Sequence, residues 1–253
     1  MEPQARPPPA LVGHVEALWT ATIGAAPEVR RVPPDGCLDL VAVIDATTVS
    51  AHVYGPTARY DDVTLTPGQR LVGLRFVAGV GALALAARAD QLLGDGHRLD
   101  DVAPAAAATL RGAARAEDVP GRLVAAAAAL VARARPTVEH RRAARAIAAF
   151  AAGADRIADV AADLGVAERT LHRDFLVGVG LAPRRYLRVA RARRAAALIA
   201  AGRPLADVAA TCGYADQAHL TRELVALHGV TPGALRRSRD HVRNLQAPAA
   251  PMR

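Results

Sequence analysis

The chain has 253 residues, enough for one large domain or two ordinary ones with a sizeable core. All 32 basic residues are arginine, and they are unevenly distributed. Residues 1–136 carry 13 Arg against 14 acidic residues (net −1), whereas residues 137–240 carry 17 Arg against 10 (net +7). This asymmetry indicates a polyanionic partner, with nucleic acid the first candidate, although arginines that only solvate helix surfaces would give the same count.

The cysteine content and the apolar segments exclude several classes of protein. Cys37 and Cys212 are too few for a disulfide scaffold and lack zinc-ligand spacing, so we expect a reduced, cytoplasmic compartment. The Pro-rich N-terminus has no apolar core of the kind found in signal peptides, and the apolar stretches are short and Ala-dominated. We therefore expect no membrane partner.

Strand character is confined to residues 29–77. The runs 37–44, 48–54 and 70–77 are rich in Val, Leu and aromatic residues, and Pro- and Gly-containing turns separate them. This pattern predicts a small antiparallel β unit, either a sandwich or a partial barrel.

From Gly79 the composition changes to that of Ala- and Leu-rich helices, which we predict at 79–93, 102–116 and 119–134. Arg135-Pro136 breaks the pattern and marks a domain boundary. Seven further helices are predicted, near 138–151, 156–164, 168–177, 183–201, 205–212, 217–227 and 232–239. The predicted fold is α+β, with a β-rich then helical regulatory domain at 1–136, an all-α domain at 137–240 and a disordered tail at 241–253.

An internal repeat relates residues 157–186 to residues 205–235. Each copy has apolar residues at i, i+3, i+4 and i+7, then a glycine, then a second helix with leucine or phenylalanine at i and i+4. The offset is 48 residues from Gly165 to Gly213 but 49 from Arg173 to Arg222, so one residue is gained in or near the turn. Agreement at this many positions indicates two copies of one structural unit.

A helix, a short turn that contains glycine and a second helix make up the helix-turn-helix unit. The glycine suits a sharp turn that requires positive φ. The helix that joins the copies begins at Pro183 and ends near Ala201. A rigid joining helix would allow two recognition helices to enter adjacent major-groove segments about 34 Å apart.

The exposed positions of each recognition helix follow from the buried ones. With Leu171 and Phe175 in the core, the residues that face outward are Glu168, Arg169, His172 and Arg173. With Leu220 and Leu224 in the core, the second helix presents Gln217, Ala218, Thr221 and Arg222, with His219 beside them. Arg can bond guanine O6 and N7 together, and Gln can do the same for adenine. Arg173 and Arg222 occupy equivalent repeat positions, which favours contact with bases or phosphates over simple solvation.

The C-terminal region resembles the AraC/XylS family of bacterial regulators over roughly residues 137–239. The resemblance is carried by ADVAADLGVAERTLHRDF, LAPRRYLRVARARRAAALI, LADVAATCGYADQAHLTREL and GVTPGALRR. It implies two helix-turn-helix subdomains on one long helix, promoter DNA as partner, and RNA polymerase as a candidate partner. Matched position by position, the family's base-contacting residues fall on Arg169, His172, Arg173, Gln217, His219 and Arg222.

Two positions depart from the family pattern. Leu224 stands where the family usually has Phe, which changes the volume of the core and not the reading surface. Arg191 lies on the apolar face of the joining helix and would need a partner that the sequence does not identify. The N-terminal segments VPPDGCLDLV, YGPT and LVGLRFVAGVGALAL are similar to a β-rich domain that precedes this module in a subgroup of these regulators. That similarity implies an effector site or a dimerisation role by analogy alone.

Other functions remain as alternatives. Cys37 could be the methyl acceptor of a DNA-repair protein, but Asp35 and Asp39 are unfavourable neighbours for a thiolate, so we expect no enzyme activity. His52, His97 and nearby paired acids match no ligand motif, so neither a metal nor a cofactor is expected. A basic architectural protein without sequence preference is the main non-enzymatic alternative. The sequence leaves open the operator, the sign of regulation, the effector and the oligomeric state.

Overall fold

The computed structural model describes residues 7–46, 48–94, 96–111 and 116–237. The predicted tail at 241–253 lies outside the described residues. The chain order is β first and then helical, in agreement with the predicted α+β class. The seven strands are β1 (Val15–Thr22), β2 (Glu28–Val32), β3 (Asp39–Ile44), β4 (Val49–Tyr54), β5 (Asp61–Leu65), β6 (Arg70–Phe76) and β7 (His97–Arg98).

Five strands form one antiparallel sheet in the order β1-β6-β3-β4-β7, while β2 and β5 pair as a separate two-stranded ribbon. The predicted strands at 37–44, 48–54 and 70–77 correspond to β3, β4 and β6. Strands β1, β2, β5 and β7 were not predicted, and the confinement of strands to residues 29–77 is wrong, because β1 and β7 lie outside that range. β1 carries Glu16 and two alanines, and the ribbon strands are largely charged and exposed, so neither shows the apolar alternation on which strand prediction depends.

Four helices follow β6 in the N-terminal part: α1 (Val80–Ala84), which precedes β7, and then α2 (Leu99–Val102), α3 (Pro104–Arg111) and α4 (Val119–Arg133). They share one apolar core with the sheet, whose fully buried members include Leu40, Leu74, Leu99 and Leu123. The single helix predicted at 79–93 is incorrect. Ala86 adopts left-handed backbone geometry (φ 52°), which a right-handed helix cannot contain, and only a short 3₁₀ turn follows at Ala89–Gln91.

The C-terminal part contains seven helices, each within about two residues of its prediction: α5 (Val138–Ala151), α6 (Ile157–Asp163), α7 (Glu168–Val179), α8 (Pro183–Ala200), α9 (Leu205–Thr211), α10 (Gln217–His228) and α11 (Pro232–Arg237). We propose that the domain boundary lies between α4 and α5, as the sequence predicts, because separate apolar clusters form on either side of it. Within the described part of the chain, no helix is both long and apolar enough to span a bilayer.

Helix α8 belongs to two cores. Its first half contributes Tyr186 and Val189 to the core around Leu171 and Phe175. Its second half contributes Ala192, Ala195, Ala196 and Ile199 to the core around Leu220 and Leu224. Because each half packs in a different core, α8 links the two helix-turn-helix units directly.

Candidate nucleic-acid interface

The two predicted turns have the same backbone geometry. Gly165 and Gly213 both adopt positive φ, at 68° and 70°, as the turn requires. Each glycine N–H donates to a carbonyl of the preceding helix, over 2.9 Å to Ala162 and over 3.2 Å to Ala210. The internal repeat of the sequence is therefore a repeat of three-dimensional structure.

The extra residue of the second copy falls in the turn, which spans four residues between α6 and α7 but five between α9 and α10. The longer turn supplies Asp216 as the N-cap of α10, and its side chain accepts a hydrogen bond from the His219 N–H over 2.6 Å. In the first copy the N-cap is Ala167, which has no side-chain cap. The inserted residue thus allows a side chain to cap α10, which stabilises the N-terminus of the second recognition helix.

The residues of the recognition helices α7 and α10 that were predicted to face the core are buried. Leu171, Phe175, Leu220 and Leu224 are each 0% exposed, so this prediction is confirmed. Of the six predicted DNA-contacting residues, five are exposed: Arg169, His172, Arg173, Gln217 and Arg222. They lie on the outward side of α7 and α10, in the first three turns of each helix.

His219, the sixth predicted residue, is only half-buried and already has partners in the protein. Its ring packs edge-on against Tyr214 with 5.3 Å between the ring centroids. The Ala215 N–H donates to its Nδ1 over 3.4 Å. This leaves Nε2 as the only ring nitrogen that could face a ligand.

The arginines of α8 have protein partners that the sequence did not reveal. Arg188 forms an ion pair with Glu223 of α10 at 2.7 Å, and this hydrogen bond raises the pKa of Arg188. Arg191 donates to the Gly213 carbonyl over 3.4 Å and lies 5.7 Å from the Tyr214 ring centroid. The partner that the sequence did not identify for Arg191 is therefore the turn of the second helix-turn-helix unit.

An open groove of about 530 Å³ lies between the two helix-turn-helix units. It is lined by residues from both units and from α8, namely Asp155, Arg156, Ile157, Ala158, Glu168, Arg184, Leu187, Arg188, Arg191, His219 and Glu223. Four of these are arginines, and Arg156 and Arg184 are exposed. The lining also includes three carboxylates, Asp155, Glu168 and Glu223, and Glu223 is paired with Arg188, so the groove has only a small excess of positive charge.

A buried ion pair supports the first recognition helix. Asp174 follows Arg173 in the chain, is 0% exposed and contacts Arg142 Nε of α5 at 2.8 Å. Burial raises the pKa of Asp174, although the Arg142 charge acts in the opposite direction. The pair was not predicted from the sequence, because Asp174 looks like an ordinary polar residue of an amphipathic helix. Its position at i+3 from Leu171 was the available signal.

The alternative centred on Cys37 finds little support in its surroundings. Cys37 is 4% exposed, and burial followed by the nearby Glu16 and Asp35 charges raises the pKa of its thiol. A raised pKa disfavours the thiolate that a methyl acceptor needs. Among the residues that the structure describes, no three His, Cys, Asp or Glu side chains lie together as metal ligands.

Comparisons with known proteins bear on both parts of the chain. Residues 160–238 match the family described as a helix-turn-helix domain, and residues 4–97 match a domain of unknown function, DUF6597. No curated protein matches the chain.

Several solved structures are similar to the chain, each with a low TM-score. The C-terminal domain of AraT, a response regulator from Geobacillus stearothermophilus, is 27% identical over 42% of this chain and 89% of that chain, with a TM-score of 0.37. ToxT from Vibrio cholerae is 12% identical over 86% of this chain and 96% of its own, with a TM-score of 0.45. ToxT bound to (E)-4-(8-methylnaphthalen-1-yl)but-3-enoic acid is 11% identical over 90% and 98%, with a TM-score of 0.47.

Two helix-turn-helix units on one joining helix define a DNA-binding protein of the helix-turn-helix class. More narrowly, the chain carries an AraC-type helix-turn-helix domain at its C-terminus behind an N-terminal DUF6597 domain. This C-terminal domain is that of DNA-binding transcription regulators.

Proposed function

We propose that the chain is a sequence-specific regulator whose recognition helices α7 and α10 read adjacent major-groove segments of promoter DNA. The observation that carries this proposal is the equivalent outward placement of Arg173 and Arg222 on two cores that share helix α8. Simultaneous entry into two groove segments needs recognition helices held at a fixed separation.

Six side chains are assigned to the contact. Arg169, Arg173 and Arg222 offer paired donors for guanine or phosphate, and Gln217 offers a donor and an acceptor for adenine. His172 is free to approach a base edge or a phosphate. His219 would contribute through Nε2, because its Nδ1 accepts from the Ala215 N–H.

The exposed arginines of the groove between the units suit the DNA backbone that separates two major-groove segments. Exposed arginines such as Arg156 and Arg184 can bind phosphates there without reading sequence. In this arrangement the recognition helices supply specificity, while the groove supplies affinity and register.

The direct test is selection of bound fragments from random and genomic DNA, followed by a competition footprint at physiological salt. We expect protection of a discrete site that random DNA displaces poorly. Equal displacement by random and selected DNA would instead favour the architectural alternative, in which the same basic surface binds without sequence preference.

Salt provides a second test of the proposed interface. If the exposed arginines neutralise about six phosphates, affinity should fall on the order of 10³-fold between about 50 and 200 mM salt. The measurement is fluorescence anisotropy with a labelled site across that range. A slope near zero would contradict backbone contact by the groove.

We also propose that a small-molecule effector acts through the N-terminal part, with RNA polymerase as the downstream partner at the promoter. Support for the effector is the presence of a separate β-rich part packed on the DNA-binding part. The cavity between the two parts, lined by Gly36, Cys37, Pro56, Gly79 and Gly178 among others, measures about 10 Å³, which is room for about one water. A metabolite would have to open it, so a thermal-shift screen on the full chain is the appropriate test.

A further inference from the structure

The N-terminal part contacts the first recognition helix at its C-cap. Gly180 ends α7 in left-handed geometry (φ 80°). A Cβ at Gly180 would lie 2.8 Å from Pro56 Cγ and 3.0 Å from the Ala89 carbonyl oxygen, so the cap is pressed directly against N-terminal residues. Only glycine fits this contact, for reasons of both φ and space.

The second recognition helix meets the N-terminal part at the equivalent glycine. Gly229 ends α10 at φ 65°, and a Cβ there would lie 2.7 Å from an Arg31 guanidinium nitrogen and 2.8 Å from the Tyr60 ring. Arg31 donates to the Gly229 carbonyl over 2.7 Å, and the Tyr60 N–H donates to the Leu227 carbonyl over 2.9 Å. The β2–β5 ribbon, which carries Arg31 on β2, thus holds the end of α10.

Arg31 is itself held in place by the ribbon. Asp62 of β5 accepts two hydrogen bonds from Arg31, at 2.7 and 2.6 Å, and the guanidinium lies 4.3 Å from the Tyr60 ring centroid. A guanidinium fixed on a carboxylate and a ring is pre-organised for its third contact, with Gly229.

The N-terminal part makes a third contact, with α8, the helix that joins the two units. Arg193 of α8 pairs with Glu16 of β1 at 2.6 Å, and their side chains are only 14% and 6% exposed. Tyr186 of α8 packs on Gly36, where a Cβ would lie 3.1 Å from the ring. Separating a buried ion pair leaves a charge without its partner, which is strongly unfavourable. The pair therefore favours one position of α8 relative to β1.

The other glycines of the two units with positive φ do not share these contacts. A Cβ at Gly165, Gly202 or Gly213 would meet nothing within 4 Å. Among the positive-φ glycines of the two units, therefore, the N-terminal part meets only the caps that end the recognition helices. The sequence repeat places these caps 49 residues apart, at the same point of each unit.

We propose that the N-terminal part is a brace that sets the separation and tilt of the two recognition helices, with four positioning residues: Glu16, Arg31, Tyr60 and Arg193. The brace deepens the proposed function and rests on it for its consequence in DNA recognition. The N-terminal part contacts the first unit at Gly180, the second unit at Gly229 and the joining helix α8. These three contacts restrict the relative movement of the two units, whereas α8 alone could still bend or twist between its two cores. The Gly229 contact is the releasable one, because it is polar and Arg31 and Asp62 are 31% and 40% exposed.

The test measures the distance between the two units in the full chain without DNA. Spin labels are placed at Ala162→Cys and Ala210→Cys, which are exposed, repeat-equivalent positions on α6 and α9. Cys37 and Cys212 are buried and stay in place, and the chain without the added cysteines gives the background labelling. We expect one narrow distance distribution in the parent chain.

Arg31→Ala should broaden this distribution or shift its maximum by several ångströms. Arg30→Ala is the matched control, because Arg30 is the neighbouring arginine of β2 but pairs with Glu28 instead of α10. Gly229→Ala should act like Arg31→Ala, and Gly202→Ala matches its positive φ without the contact and outside the two recognition turns. Circular dichroism confirms that each variant folds. If a glycine variant does not fold, the Arg31 and Arg30 pair still decides the question.

An unchanged distribution in Arg31→Ala, or an equal change in Arg30→Ala, would overturn the brace. DNA binding is a separate readout. On a selected two-segment site, the parent should prefer one spacing, and Arg31→Ala should accept one inserted base pair with nearly equal affinity. If the distances change as expected but no discrete DNA site is ever selected, the brace stands and the proposed function fails. A broadened distribution with undiminished spacing preference would refute the link between them.

Discussion

Replacing Arg142 with alanine is expected to lower the free energy of unfolding by about 3–5 kcal/mol. The substitution removes the partner that lies 2.8 Å from the Asp174 carboxylate, which is 0% exposed, and leaves the longer 4.0 Å contact with Arg173. Urea denaturation followed by circular dichroism measures the change. Arg145→Ala is the control, since Arg145 lies on the exposed side of the same helix and its loss should cost within about 0.5 kcal/mol.

The effect of Arg142→Ala should also depend on pH. Burial already raises the pKa of Asp174 in the folded state, and removal of the Arg142 charge raises it further. A raised carboxyl pKa means that the native state binds the proton more tightly than the unfolded chain does. Stability is therefore lost as pH rises between the unfolded and folded pKa values, and the penalty of Arg142→Ala should shrink on acidification from pH 7 to about 5. A penalty independent of pH would show that the loss is one of packing and not of charge.

The double variant Arg173→Ala, Arg222→Ala is expected to weaken specific DNA binding by about 2–6 kcal/mol. Each arginine should contribute about 1–3 kcal/mol if it contacts a base directly. The two belong to separate cores and share no partner in the described contacts, so their effects should add. Anisotropy titrations of both single variants and the double variant on the selected site measure this.

Arg145→Ala again serves as the control, because it removes the same charge away from the reading surface. Arg222→Ala should keep the thermal stability of the parent, since the side chain is exposed, whereas Arg173→Ala removes a 4.0 Å contact with the buried Asp174 and should lower stability slightly. Loss of affinity no greater than that of Arg145→Ala would remove Arg173 and Arg222 from the contact. A double variant no weaker than either single one would show that the two helices do not bind at the same time.

Arg173 and Asp174 are adjacent in the chain but have opposite environments. Arg173 faces outward on α7, and Asp174, the next residue, is buried against α5. We expect the ion pair with Arg142 to hold this side of α7 against α5, and its loss to change the direction of Arg173. Arg142→Ala should therefore reduce DNA affinity even where the variant remains folded.

Much of the C-terminal part could be predicted because its signals are local. Helical periodicity at Leu171 and Phe175, and at Leu220 and Leu224, depends only on residues within two turns of each other. Positive φ at Gly165 and Gly213 follows from a turn of a few residues. The same local reasoning failed for β1 and the β2–β5 ribbon, because their apolar residues, such as Trp19 and Val29, form no regular alternating run and their pairing partners lie elsewhere in the chain.

The sequence by itself determined the two helix-turn-helix units, the helix that joins them and the outward position of five of the six candidate contact residues. Their regular spacing specifies which side of each helix is apolar, and burial of that side leaves the opposite side exposed. Only the tertiary structure decided that Asp174 is buried, that His219 is held by Tyr214, and that Gly180 and Gly229 meet the N-terminal part. The physical reason is that these contacts join residues as much as 198 positions apart, as in the bond from Arg31 to Gly229, and depend on how the separate units pack.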